Sequence, residues 1–249
     1  MQELKNMERL NVNVTIRIKP YLGKLLSLHK EDITSVFVYG AAAGKDFDSR
    51  KQEITLGVVF EELGFKHLRE SLHLVKEGIK RKIPAPLFLT LKHIKSSCDV
   101  FPLEFLEMQD TNLVVYGGDI LSQIQIKREP LRLEVEGQIK GKLINIRQAY
   151  LEMGLKKKGI DILLKKSLNS LIPVFRGILK VSEFDKTPPK DRNNIVMNLG
   201  EKFNLDKKVF VSILRDEKDD NTILGKDALD YLARYIEEIK KLAVIVDTL

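Results

Sequence analysis

The stretch Val36-Phe-Val-Tyr-Gly40-Ala-Ala-Ala-Gly44-Lys-Asp-Phe-Asp48-Ser-Arg-Lys-Gln52-Glu53-Ile-Thr55-Leu-Gly-Val-Val-Phe60 decides how this chain is read. Residues 33–39 (ITSVFVY) and 54–60 (ITLGVVF) are short, β-rich apolar runs bounded by polar or Gly positions, which predicts two buried strands. Between them the chain turns through Gly40, three alanines and Gly44 into a polar loop. Small residues and free backbone N–H groups at such a turn suit the close approach of a phosphate. Any strand-to-helix turn uses glycine as well, so the turn needs support from its surroundings.

Outward from this stretch the first half reads as α/β. Leu68, Leu72, Val75 and Ile79 recur at helical intervals and predict a helix over residues 65–81. Residues 87–92 and 97–103 read as two further strands, with Pro84 and Pro86 marking the turn before them. Residues 14–29 read as a helix despite Pro20. From about residue 131 the apolar spacing becomes three and four, predicting helices at 131–155, 160–180, 191–203, 206–214 and 226–245. Breaks fall at Gly159, at residues 187–189 and at 215–225, where the acidic cluster 216–220 reads as an exposed loop. The expected architecture is an α/β (α+β) domain with a mixed sheet over residues 1–128, followed by an all-α bundle over residues 129–249. Residues 127–130 are the expected junction.

The composition sets the class. The chain has 249 residues, 43% hydrophobic and 31% charged, with a net charge of +7, values of a folded protein. No apolar run approaches the roughly 18 residues of a membrane span. The segment MQELKNMERL has no apolar core of a secretory leader, and the single cysteine, Cys98, forms no internal disulfide. A cytoplasmic globular protein without membrane contact is expected. Residues 131–180 hold 11 basic and 4 acidic side chains, among them Lys156, Lys157, Lys158, Lys165 and Lys166. Such a stretch either faces the phosphates of a nucleotide or nucleic acid, or is a solvated helix face. No aromatic residues interleave it in the manner of a nucleic-acid module.

Other chemistries find no footing. His29, His67, His73 and His93 show no zinc-ligand spacing with one another or with Cys98. Serine-hydrolase, Walker and dinucleotide-binding fingerprints do not occur.

The quoted stretch resembles the nucleotidyltransferase superfamily that includes DNA polymerase β and the aminoglycoside adenylyltransferases. Their signature is Gly-Ser, a short spacer with a further Gly, then an acidic-x-acidic pair on the next strand. Gly40 and Gly44 match the glycines, and Glu53 and Thr55 fall where the acidic pair belongs. The run Ser97-Cys98-Asp99-Val-Phe-Pro102-Leu-Glu104-Phe matches the strand that delivers a third carboxylate, with Asp99 as its bearer. The run Val115-Tyr116-Gly117-Gly118-Asp119 and the segment from Leu131 to Tyr150 look like the same family's members with an appended helical domain. The resemblance implies a nucleotide bound between the domains, with Gly40, Ala41 and Gly44 at its phosphates. Arg132, Lys140, Lys142 and Arg147 would approach from the bundle. Helical partners in this superfamily sometimes resemble a ribonuclease that needs an Arg followed closely by His; the last histidine here is His93, so that activity is not expected.

The departures shape the functional expectation. Ala41 lacks the hydroxyl of the family's Ser. Alternate residues of a strand point to one face, so a carboxylate pair there reaches divalent metals that join the entering and leaving oxygens. Thr55 supplies no charge, leaving Glu53 and Asp99 as the candidate catalytic and Mg²⁺-binding residues. A single weakly held Mg²⁺ is then the expected cofactor, with an NTP as the candidate ligand. Asp46 and Asp48 share the two-residue spacing, but placing the pair there detaches the strand 54–60 from the site. The first expectation is therefore a nucleotidyltransferase-like protein with an eroded metal site, binding a nucleotide or another phosphate-bearing ligand, or acting through protein contacts. One alternative is an active enzyme moving a nucleotidyl group from an NTP to a small-molecule or protein hydroxyl. The other is a nucleic-acid-interacting module using the basic helical face.

Overall fold

The computed structural model describes residues 4–29, 31–44, 47–153, 159–216 and 228–249. Asp46, Lys156, Lys157 and Lys158, and all of the 216–220 cluster except Asp216, lie outside the described residues. The chain is mixed α/β and divides into two compact units, Met1–Asp99 with Glu104–Ile126, and Val100–Leu103 with Lys127–Leu249.

The first unit is built on a four-stranded mixed sheet in the order β3-β2-β1-β4. Strands β1 (Ile33–Tyr39) and β2 (Thr55–Phe60) pair antiparallel with Tyr39 opposite Thr55, so the quoted stretch folds back on itself. Helix α1 (Val12–His29) precedes β1, and α2 (Phe65–Ile79) follows β2 and leads to β3 (Leu87–Thr90), parallel to β2. Strand β4 (Leu113–Gly117) closes the other edge, antiparallel to β1. Side chains alternate between the two faces. Val36, Val38, Leu56 and Val58 join α1 and Leu74 of α2 in one cluster, while Phe37, Val59, Leu89 and Val114 join Ile94, Cys98 and Phe105 in another. Gly57 is required by this packing: the Phe37 ring of the neighbouring strand lies 2.1–2.7 Å from where a Cβ would sit.

The strand expected over residues 97–103 is not formed. Residues 91–97 are a helix, α3 (Leu91–Ser97), whose start is fixed by Thr90: its hydroxyl accepts the His93 N–H at 3.1 Å. After an exposed turn containing Asp99, α4 (Pro102–Asp110) begins. Pro102 suits a first helical position, where its missing N–H costs nothing, and the Leu103 N–H donates to the Glu134 carboxylate at 2.8 Å. Ile94 and Cys98 are one helical turn apart and both buried, so this apolar spacing belongs to a helix and not to a strand.

The described elements of the second unit beyond residue 126 are all helical: α5 (Arg128–Met153), α6 (Ile160–Ser182), α7 (Arg192–Phe203), α8 (Lys207–Asp216) and α9 (Ala228–Val246). Helix α6 packs on all four others, and its buried face runs from Ile160 to Val181. Phe175, Phe210 and Tyr235 meet edge to face at centroid distances of 5.5 and 5.6 Å. The Tyr235 hydroxyl is paired with Ser167 Oγ at 2.9 Å. No described helix is long and apolar enough to cross a membrane.

Candidate functional site

The end of β1 and the approach to β2 form one wall of a cavity of about 810 Å³ within the first unit. Tyr39, Gly40 and Ala41 come from the β1 end, Lys51, Gln52, Glu53 and Thr55 from the approach to β2, and Lys82 from the segment after α2. Glu104, Glu107, Met108 and Thr111 come from α4 and its C-terminal end. The positions 104, 107, 108 and 111 are the i, i+3, i+4, i+7 series of one helix face, which is why α4 presents them together.

Gly40 holds this corner by its backbone. Its φ is +67°, a left-handed conformation that glycine adopts without penalty, and the chain continues into a short 3-10 turn, Gly40–Ala43. Its N–H donates to Thr111 Oγ1 at 3.1 Å, and that hydroxyl donates to the Glu107 carbonyl at 2.6 Å. The Gly40 amide is therefore spent on α4.

The loop before β2 is tied down. Gln52 Oε1 accepts the Asp48 N–H at 2.8 Å, and the Lys82 ammonium donates to the Ser49 and Arg50 carbonyls at 3.3 and 2.5 Å. Lys82 has φ +59°, and its carbonyl accepts the Ile54 N–H at 2.8 Å. Lys82 is thus fastened to the same loop that carries Lys51 and Glu53. Thr55 donates its hydroxyl to the Tyr39 carbonyl at 2.6 Å, bridging the paired strand ends. Burial pushes the Tyr39 phenol up, so it stays protonated and neutral.

Glu53, Gly40 and Ala41 thus share one cavity. Gly44 and Asp99 do not line it. Gly44 has ordinary extended backbone (φ −85°, ψ 161°), and a Cβ there would meet the Ala41 carbonyl at 3.3 Å. Asp99 is exposed in the turn before α4, and Glu104 and Glu107 stand at the cavity instead. Asp48 accepts the Arg50 N–H at 2.9 Å in a local turn, which holds its carboxyl below the usual range. Of the basic candidates in the second unit, Arg132 is paired with Glu129 and Glu136 at 3.1 and 2.8 Å, and Lys140 with Glu136 and Asp247 at 2.7 and 2.6 Å. Lys142 and Arg147, also on α5, have no ion pair among the described residues. Lys82, Glu107 and Thr111 carried no signal that sequence reading used, although the 104–107–108–111 spacing would have marked a helix face.

The donor set does not fit a paired-carboxylate cradle for divalent cations. Thr55, two residues after Glu53, offers a hydroxyl already bonded to a main-chain carbonyl, and among the described residues no three His, Cys, Asp or Glu side chains group as metal ligands. Glu53, Glu104 and Glu107 against Lys51 and Lys82 leave the wall with three acidic and two basic groups. An anion would meet its counter-charge at the two lysines. Compared with known families and characterised proteins, the chain matches no family model and no curated protein sequence.

Proposed function

We propose that this is a nucleotidyltransferase-like protein that binds a nucleotide or another phosphate-bearing ligand in the cavity at the β1–β2 end, with little or no transfer activity. The observation that carries the reading is that Gly40 and Ala41, which leave room, line the same cavity as the cationic residues Lys51 and Lys82. Phosphates would take their counter-charge from Lys51 and Lys82 and not from the carboxylates Glu104 and Glu107. Nucleotidyl transfer asks for anchored positive charge at both the entering and the leaving oxygen. The commitment of Thr55 to the Tyr39 carbonyl argues against that anchoring, so Mg²⁺ is weakly held.

The enzyme reading keeps one specific observation in its favour: Glu104 and Glu107 bring further carboxylates to the cavity that holds Glu53. In that reading they replace Asp99 as the third acidic position. The nucleic-acid reading is weaker, because Arg132 and Lys140 of the basic stretch are held by acidic neighbours.

The test is a titration of ATP, GTP, CTP and UTP with and without Mg²⁺, on the parent and on Lys51→Ala. Binding that persists without Mg²⁺ and weakens in the variant supports the reading. Absence of binding, or affinity indifferent to Lys51, overturns it.

A further inference from the structure

Helix α2 hides little of its apolar surface. Its buried positions are Ser71, Leu74 and Gly78. Phe65, Leu68, Leu72 and Ile79 are 76, 44, 64 and 62% exposed, and Val75 is half-buried. These five fall at spacings of 3, 4, 3 and 4, the a/d seam of a coiled coil sustained along the helix. Scattered exposed leucines need no explanation, but a continuous apolar seam on a charged helix does.

The charges beside the seam are sorted by partner. Glu77 is bonded to Lys24 of α1 at 2.5 Å, and Glu70 faces Lys66 and the buried His29, both at 3.9 Å. The acidic groups of α2 are thus engaged with neighbours in their own chain. Arg69 and Lys76, the e positions flanking the seam on its solvent side, form no ion pair among the described residues. The opposite flank, Ser71 and Gly78, is turned into the protein. The seam is therefore apolar with one open edge, and that edge is cationic.

We propose that α2 docks an amphipathic helix of a partner protein whose flanking residues are acidic. Charge complementarity selects this occupant: Glu or Asp beside an apolar a/d stripe meets Arg69 and Lys76. A second copy of α2 would bring Arg69 and Lys76 against their own kind when antiparallel, and against the covered Ser71 and Gly78 flank when parallel. A membrane surface is better matched by a broad apolar face than by a seam this narrow.

The probe is a synthetic helix of about three heptads with Leu at a and d and Glu at e and g, compared with the same peptide carrying Lys in place of Glu. Fluorescence anisotropy with the full chain should show binding of the Glu peptide, weakened by roughly tenfold or more in Leu72→Asp. Leu72 is exposed, so that variant should keep its thermal midpoint. The double variant Arg69→Glu, Lys76→Glu should reverse the preference toward the Lys peptide. Three results overturn the proposal: neither peptide binds, both bind equally, or the double variant leaves the preference unchanged. It also falls if phosphatidylserine vesicles, or the chain itself in sedimentation, are bound through Leu72 while the Glu peptide is not.

Discussion

Replacing Gly40 by alanine separates backbone strain from packing at the corner of the candidate site. At φ +67° an L-residue is held in the left-handed region, which costs about 1–2 kcal/mol. The added Cβ would sit 3.6 Å from Thr55 Oγ1, an ordinary contact, so no packing penalty adds to this. The stiffer unfolded chain returns about 0.4–1 kcal/mol, leaving a net loss on the order of 1 kcal/mol. Gly40→Asn should lose less, because Asn visits this region more readily, and Gly40→Val should lose more. Gly44→Ala is the control: its φ is ordinary and only the Ala41 carbonyl must yield slightly, so a change within about 0.5 kcal/mol is expected. Urea unfolding followed by circular dichroism, with the two units fitted as separate transitions, reads these differences. Equal losses for Gly40→Ala and Gly44→Ala, or a parent-like Gly40→Val, would refute the reasoning.

Three further outcomes are expected. Gly57→Ala drives a methyl group into the Phe37 ring and should destabilise the first unit by about 1–3 kcal/mol, measured by urea unfolding. Tyr235→Phe removes the hydroxyl that meets Ser167 inside the bundle and should cost the second unit roughly 1 kcal/mol in the same assay. His29 is held below the ordinary imidazole range chiefly by burial, then by its neighbour His67, against the opposing pull of Glu70 and Asp32. Its unfolded form therefore binds protons more readily, so stability is full above about pH 6.5 and falls as pH drops through that value toward the lower folded pKa. Comparing unfolding midpoints across that window, the parent should lose more on acidification than His29→Gln.

The elements whose apolar residues form a continuous run or recur at helical spacing were legible in the sequence. The runs at 33–39 and 54–60 are strands because β-branched and aromatic residues fill both faces of the sheet, and the helices beyond residue 127 follow their apolar spacing. Residues 97–103 were not legible. There Cys98 ends one short helix and Pro102 opens the next, a window too short to show either period, and the capping partner Glu134 lies far away in sequence. The same misreading put Asp99 on a strand: it falls in the exposed turn, while Glu104 and Glu107 line the cavity. Gly40 and Gly44 look alike in sequence, yet only Gly40 has a conformation that demands glycine, which is a property of the turn and not of spacing. Helix α2 adds the converse case. Its apolar positions announce a helix correctly but lie outside the core, because small Ser71 and Gly78 let it pack closely; the Tyr21 ring lies 2.8 Å from where a Cβ of Gly78 would be.

A phosphate-bearing ligand in the proposed cavity must touch the amides at the β1–β2 end. Amide chemical shifts of the isotope-labelled protein, followed as ATP is added without Mg²⁺, locate it directly. Perturbations should centre on Gly40, Ala41, Lys51, Glu53, Thr55 and Lys82, and Lys51→Ala should shift the titration to higher ATP. No perturbation at these residues, or changes confined to the second unit, would contradict the account.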